Sequence, residues 1–496
     1  MERITHWIDG THWSGTAART SPVHDPATGE VTAALDLADG AVVDQAVASA
    51  VAASAGWRRA SLTQRARVLF AFRQLLAERA EDVAALITAE HGKVLSDALG
   101  EVTRGLEVVE FACGMPHLLK GSHSEGVSSG VDVHSVRQPL GVVAVVSPFN
   151  FPAMVPLWFV PVAIAAGNAV VLKPSEKDPS APDLMAQLWK EAGLPDGVLT
   201  VLHGDREAVD HLLRHPDVRA VSFVGSTPVA RHVYETATAH GKRVQALGGA
   251  KNHMLVLPDA DLDLAADAAV NAGFGSAGER CMAISAVVAV EPVADALVAK
   301  IAERVARLRT GDGRRGCDMG PLVTREHRDR VAGYVAAGVD AGAELVVDGR
   351  DVQPDGSPDG FWLGPTLFDR VTPGMSVYTD EIFGPVLSVV RVGSYDEGLG
   401  LINANPYGNG TAIFTNDGGA ARRFEYEVEV GMVGVNVPIP VPMAYYSFGG
   451  WKQSLFGDSH AHGAEGVHFF TRGKVVTSRW LDPGHGGVDL GFPTHS

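Results

Sequence analysis

From Gly141 onward, short and wholly apolar segments alternate with helical sequence, and this pattern limits the fold more than any other feature. Val142–Val146 carries no polar residue on either face, as expected of a parallel strand covered on both sides. A helix is predicted over about Met154–Ala166, then a strand at Ala169–Leu172. Further strands fall at Val198–Leu202, Val218–Phe223 and Val244–Ala246, each separated by helical sequence. That order predicts a doubly wound α/β sheet, with ligands in the crevice at the carboxyl ends of its strands.

A second α/β region runs from about Lys251 to Val437, with strands at Met254–Leu257, Ala286–Val290 and Val386–Val392. At 496 residues the chain exceeds what one core holds, so two large domains are expected. Ahead of them, Asp9-Gly10 marks a hairpin. Ser61-Leu62-Thr63-Gln64 is a capping box opening a helix, and Gly92 offers a stop. The tail after Thr477 is Gly-rich, polar and irregular.

A net charge of −17 argues against nucleic acid, whose phosphates need surplus Lys and Arg. The apolar stretch Phe149–Leu172 is broken by Pro152, Pro156, Pro161 and Gly167, so it resolves as buried helix plus strand rather than a membrane span. The first residues resemble neither a signal peptide nor a presequence. Three cysteines form no disulfide or metal framework, and a cytoplasmic location is expected. His460 and His462 lack further ligands and are expected to be solvated, with no metal.

The strand-end loops carry the chemistry. Ser147-Pro148-Phe149-Asn150-Phe151-Pro152 presents one side-chain amide, and Lys173-Pro174-Ser175-Glu176 sets a cation and a carboxylate on one turn. Gly225-Ser226-Thr227 opens a helix whose free N–H groups can hold phosphate. A carboxylate past a strand end takes both hydroxyls of an unphosphorylated ribose and repels a 2′-phosphate, so Glu176 favours NAD over NADP. In Phe274-Gly275-Ser276-Ala277-Gly278-Glu279-Arg280-Cys281 the approach is glycine-rich and a cation adjoins the thiol, which favours the thiolate. Cys113 and Cys317 are expected to fill core instead.

These motifs, with Glu381-Ile382-Phe383-Gly384-Pro385, resemble the aldehyde dehydrogenase superfamily over nearly the whole chain. The resemblance implies two doubly wound domains, an NAD-binding one over 1–117 and 140–248 and a catalytic one over 249–445. It also implies a β flap over 118–139 and 466–482 that joins a homodimer or homotetramer. Cys281 would be the nucleophile, and the Asn150 amide with the Cys281 N–H the oxyanion hole. Phe149, Lys173, Glu176, Gly225, Ser226, Glu381 and Phe383 would hold NAD.

Hydrolytic relatives carry a glutamate base ahead of the cysteine; here Leu247 stands at that position, and no residue from Val244 to His253 is acidic. Poorly activated water points to a thiol acceptor, coenzyme A. Lys251-Asn252-His253, Gly278-Glu279-Arg280-Cys281 and Phe448-Gly449-Gly450-Trp451-Lys452 resemble methylmalonate-semialdehyde dehydrogenases, whose substrate carboxylate Arg104 and Arg280 would bind. Two alternatives compete. One is a hydrolytic enzyme drawing its base from Glu279 or Glu381; the other is a binding protein that kept the fold. Ala230 departs from the family pattern, which has a second glycine there.

Overall fold

The computed structural model describes residues 2–480, so most of the tail, including 481–482 of the expected flap, lies outside the described residues. Its first large sheet runs, edge to edge, Leu455–Phe456, Arg243–Leu247, Val218–Val224, Val142–Val146, Ala169–Lys173, Leu199–Val201, Trp7–Ile8 and Thr11–His12. The five inner strands are parallel, and short antiparallel strands close both edges. Strand order reverses between Val142–Val146 and Val218–Val224, which makes their carboxyl ends the ligand crevice.

The apolar run Val142–Val146 lies between two cores. Val142, Ala144 and Val146 pack into one core with the Gly40–Trp57 and Arg206–Arg214 helices. Val143 and Val145 face the opposite core, built with the Leu62–Glu78, Leu95–Cys113 and Met154–Ala166 helices. Side chains alternate along a strand, so a strand between two cores has no polar face. Every residue of helix Met154–Ala166 is buried, and no described helix is long and apolar enough to cross a membrane.

A second, seven-stranded sheet has the order Glu344–Val347, Thr366–Asp369, Val386–Val392, Ile284–Val290, Asn252–Val256, Gly410–Phe414 and Met432–Val435. It encloses its own core. A third, antiparallel sheet joins Thr471–Arg479, Val131–Pro139 and His123–Ser128. Its last strand begins at Thr471, because residues 463–469 form a helix that buries Val467 and Phe469 in the first core. Ser478 and Arg479 therefore continue a strand where the sequence reads as irregular. The N-terminal hairpin, the Ser61–Gln64 capping box and the left-handed Gly92 stop are all present.

Candidate active site

A cleft of about 1180 Å³ opens at the reversal point, lined by Phe149, Asn150, Lys173, Glu176, Gly225, Ser226, Cys281, Glu381 and Phe383 among others. Residues far apart in sequence thus share one cavity. Arg280 instead lines a small adjoining pocket with Cys281, and Arg104 borders neither.

Cys281 follows helix Leu262–Phe274 through a 3-10 turn whose Ser276, Ala277 and Gly278 all have positive φ (52°, 51° and 72°). At Gly278 a Cβ would lie 2.3 Å from the Gly384 carbonyl oxygen, so glycine is required there. The Cys281 carbonyl is held by Asn252 Nδ2 at 2.9 Å and Asn409 Nδ2 at 3.1 Å. The Cys281 N–H donates to no backbone carbonyl among the described residues. Nearby, buried Asn150 Nδ2 donates to the Glu279 carbonyl at 3.0 Å, which leaves its second hydrogen free.

The thiol differs from its sequence expectation. Arg280 turns away to Asp97, Nη2 to Oδ1 2.7 Å, so the adjacent cation does little for the thiolate. Burial, reinforced by the Glu381 carboxylate, pushes the Cys281 thiol up to about 12. Arg104 is also occupied. It donates to Glu107 at 2.8 Å and to the Pro442 carbonyl at 2.9 Å, tying its helix to a loop whose Ile439 and Val441 pack against the same cluster as Cys281. Asp97 and Arg104 are seven residues apart on one helix, about two turns and roughly 10 Å along a single face.

Glu381 Oε1 accepts from the Ala250 N–H at 2.8 Å, and burial pushes its carboxyl up to about 7. Lys251, buried, donates to the Val377 and Asp380 carbonyls at 2.9 Å and so fixes the turn that delivers Glu381. Leu247 is buried at the end of its strand. Glu279, fully buried, points toward His91, His327 and the Val323 N–H rather than into the cleft. His327 in turn holds the Phe383 carbonyl at 2.6 Å, and Phe383 has a φ of 59°.

At the far end Lys173 Nζ meets Glu176 Oε2 at 3.3 Å. Burial alone would raise Glu176, but Lys173, a backbone donor and Lys177 outweigh it and hold the carboxyl below its usual value. Ser226, exposed, opens helix Thr227–Ala239 without a side-chain cap, and Gly225, Ser226 and Thr227 line the cleft. The Ala230 methyl is buried in the core under this helix and does not line the cleft.

Two histidines correct the sequence reading in part. His462 is buried against Trp158 rather than solvated, while His460 lies 3.8 Å from Glu465. Cys113 and Cys317 are buried and free.

A cysteine that follows a helix of one α/β sheet lines the carboxyl-end crevice of another, a two-sheet architecture with a thiol in its cleft. The aldehyde dehydrogenase family model matches residues 13–476, and the chain belongs to that family. It is 55% identical to a malonate-semialdehyde dehydrogenase of Pseudomonas aeruginosa, over 100% of both chains. A solved methylmalonate-semialdehyde dehydrogenase from Oceanimonas doudoroffii superposes with a TM-score of 0.96 at 53% identity, covering 98% of this chain and 99% of that one. A Sinorhizobium meliloti chain, described as a methylmalonate-semialdehyde dehydrogenase and solved with NAD, gives 0.96 at 52%, covering 97% and 99%.

Proposed function

We propose that the protein oxidises malonate or methylmalonate semialdehyde with NAD and passes the acyl group to coenzyme A, with loss of CO2. The observation that carries acyl transfer is Leu247: an apolar, buried side chain stands where a water-activating carboxylate would be needed. The names of the relatives support the substrate class, and the relative solved with NAD supports the cofactor.

The cleft fits a dinucleotide with an unphosphorylated ribose. The uncapped helix start at Ser226 offers N–H donors to a pyrophosphate, and Gly225 keeps that approach clear. Glu176, kept ionised beside Lys173, accepts from ribose hydroxyls. Glu381, Phe383 and Phe149 flank the nicotinamide half. When bound, NAD accepts the hydride.

Cys281 Sγ, once deprotonated, adds to the aldehyde carbon, and the new oxyanion takes hydrogen bonds from the Cys281 N–H and the free Asn150 hydrogen. Loss of hydride leaves a thioester on Cys281. The acyl group carries a carboxylate β to the thioester carbonyl; its loss as CO2 leaves an enolate that the same donors stabilise, and protonation follows. The coenzyme A thiolate then attacks the carbonyl and expels Cys281. Arg280 and Arg104 would bind the substrate carboxylate, exchanging their present partners Asp97 and Glu107 for it.

The flap exposes Val475 (69%) on its sheet and Trp480 (83%) just after it, which supports its role in a homodimer or homotetramer. The sheets support the division into an NAD-binding part over 1–117 and 140–248, a catalytic part over 249–445 and a flap. A small-molecule aldehyde is then the partner, in the cytoplasm.

The test is NADH formation from either semialdehyde with and without coenzyme A. A single burst, converted to steady turnover by coenzyme A, is expected. Equal steady rates in both would mean hydrolysis, with Glu381 as the carboxylate available in the cleft.

A further inference from the structure

Helix Met154–Ala166 begins at Ala153, which has no side chain able to satisfy the free N–H groups of its first turn. Another helix supplies the acceptor. Glu101 Oε1 takes the Ala153 N–H at 2.8 Å and the Met154 N–H at 3.0 Å. Its other oxygen pairs with Lys93 Nζ at 2.8 Å, and that ammonium also donates to the Asn150 carbonyl at 2.6 Å. The ammonium lies 4.4 Å over the Phe151 ring as well. Both charged side chains are 0% exposed.

Every element of this cluster converges on residues 150–154. A carboxylate at a helix N-terminus is favourable, and the lysine neutralises it. A helix cap alone, however, would need only Glu101. The lysine reaches past the cap to the carbonyl of Asn150, which lines the same cleft as Cys281. One hydrogen of that amide is committed to the Glu279 carbonyl, so the Asn150 backbone position decides where the other points.

We propose that Lys93 and Glu101 are positioning residues that set the Asn150 amide in the oxyanion hole, touching neither substrate nor cofactor. The inference rests on the oxyanion role of Asn150 given above. Removing one buried charge alone would strand the other, so the test uses the neutral pair Lys93→Met/Glu101→Gln. The rate of the NADH burst is measured in four proteins: the parent, the neutral pair, Asn150→Ala, and all three changes together. NAD affinity is measured in each. Misplacing a positioned group costs about 100-fold, so the pair should slow the burst roughly 10- to 100-fold at unchanged NAD affinity. In the Asn150→Ala background it should cost nothing more.

Equal losses in both backgrounds would mean a general effect on the fold and would overturn the inference. So would a parent-like burst from the neutral pair while Asn150→Ala is impaired. A parent-like burst from Asn150→Ala itself would instead bring down the oxyanion reading. Should that pair not fold, the neutral pair Lys93→Gln/Glu101→Gln, in which both side chains keep hydrogen-bonding groups and no charge is stranded, enters the same cycle with the same outcomes.

Discussion

At the Cys281 end of the cleft the polar groups are buried and already partnered: Lys93 with Glu101, Asn150 with the Glu279 carbonyl, Lys251 with two carbonyls. At the Glu176 end Lys173 is buried, but Glu176 itself is half-buried, Ser226 is exposed, and the Ser226 helix start is uncapped. The difference follows from what each end is proposed to do. Stabilising a developing oxyanion needs donors fixed in advance in a dry site, where an interaction is strong and no reorganisation is needed. Holding a ribose and a pyrophosphate needs donors and acceptors that can exchange water for ligand and release it again. Changes at the buried end should therefore appear in kcat, and changes at the open end in KM.

The largest expected effect is at the nucleophile. Cys281→Ala should abolish NADH formation, a loss of about 10⁴-fold or more, as for other catalytic nucleophiles; residual turnover near the parent rate would break the mechanism. Next come the arginines. Charge-assisted hydrogen bonds are worth about 1.5–3 kcal/mol, so Arg280→Ala should lower kcat/KM for malonate semialdehyde roughly 10- to 100-fold and spare propionaldehyde. Arg104→Ala should show the same selectivity. Equal losses on the two aldehydes would refute either assignment.

A smaller effect is expected at the open end. Glu176→Gln should raise KM for NAD roughly tenfold, the loss of about one such hydrogen bond, leave kcat in place and narrow the gap to NADP. A fall in kcat would erase the contrast between the two ends. The smallest effect sharpens the buried end. Because the thiolate is the nucleophile and the thiol is held near 12, alkylation of Cys281 should speed up as pH rises. The Glu381 anion contributes to that elevation, so Glu381→Gln should move the alkylation profile of the free enzyme to lower pH. A profile moved to higher pH would show that the carboxylate does not act on the thiol by charge.

Much of the fold was legible. Val142–Val146, Met154–Ala166 and Val386–Val392 match their sequence-predicted bounds at every residue; the first two are uninterrupted apolar runs buried throughout, and the third is buried at all but Arg391. Less was legible where a strand is short. Leu455–Phe456 joins the first sheet's edge by antiparallel pairing with Ala246 and Leu247, and a two-residue strand has no periodicity to reveal it. At the site, Cys281, Asn150 and the strand-end loops were visible because motif and position agree. The roles of Lys93, Glu101 and His327 were not. Lys93, just past the Gly92 stop, and Glu101, on helical sequence, look like surface charges, and only their complete burial shows otherwise.

Sequence alone determined the alternation of strands and helices, the crevice where ligands belong, the cysteine that lines it, and the absence of a carboxylate between Val244 and His253. These are local properties of the chain: apolar periodicity and residue identity. Tertiary structure decided which charges meet. It turned Arg280 from the thiol to Asp97, sent Glu279 away from the cleft, and brought Lys93 and Glu101 under Asn150. Charge partners are set by distance in space and by burial, and neither is written in the spacing of residues along the chain.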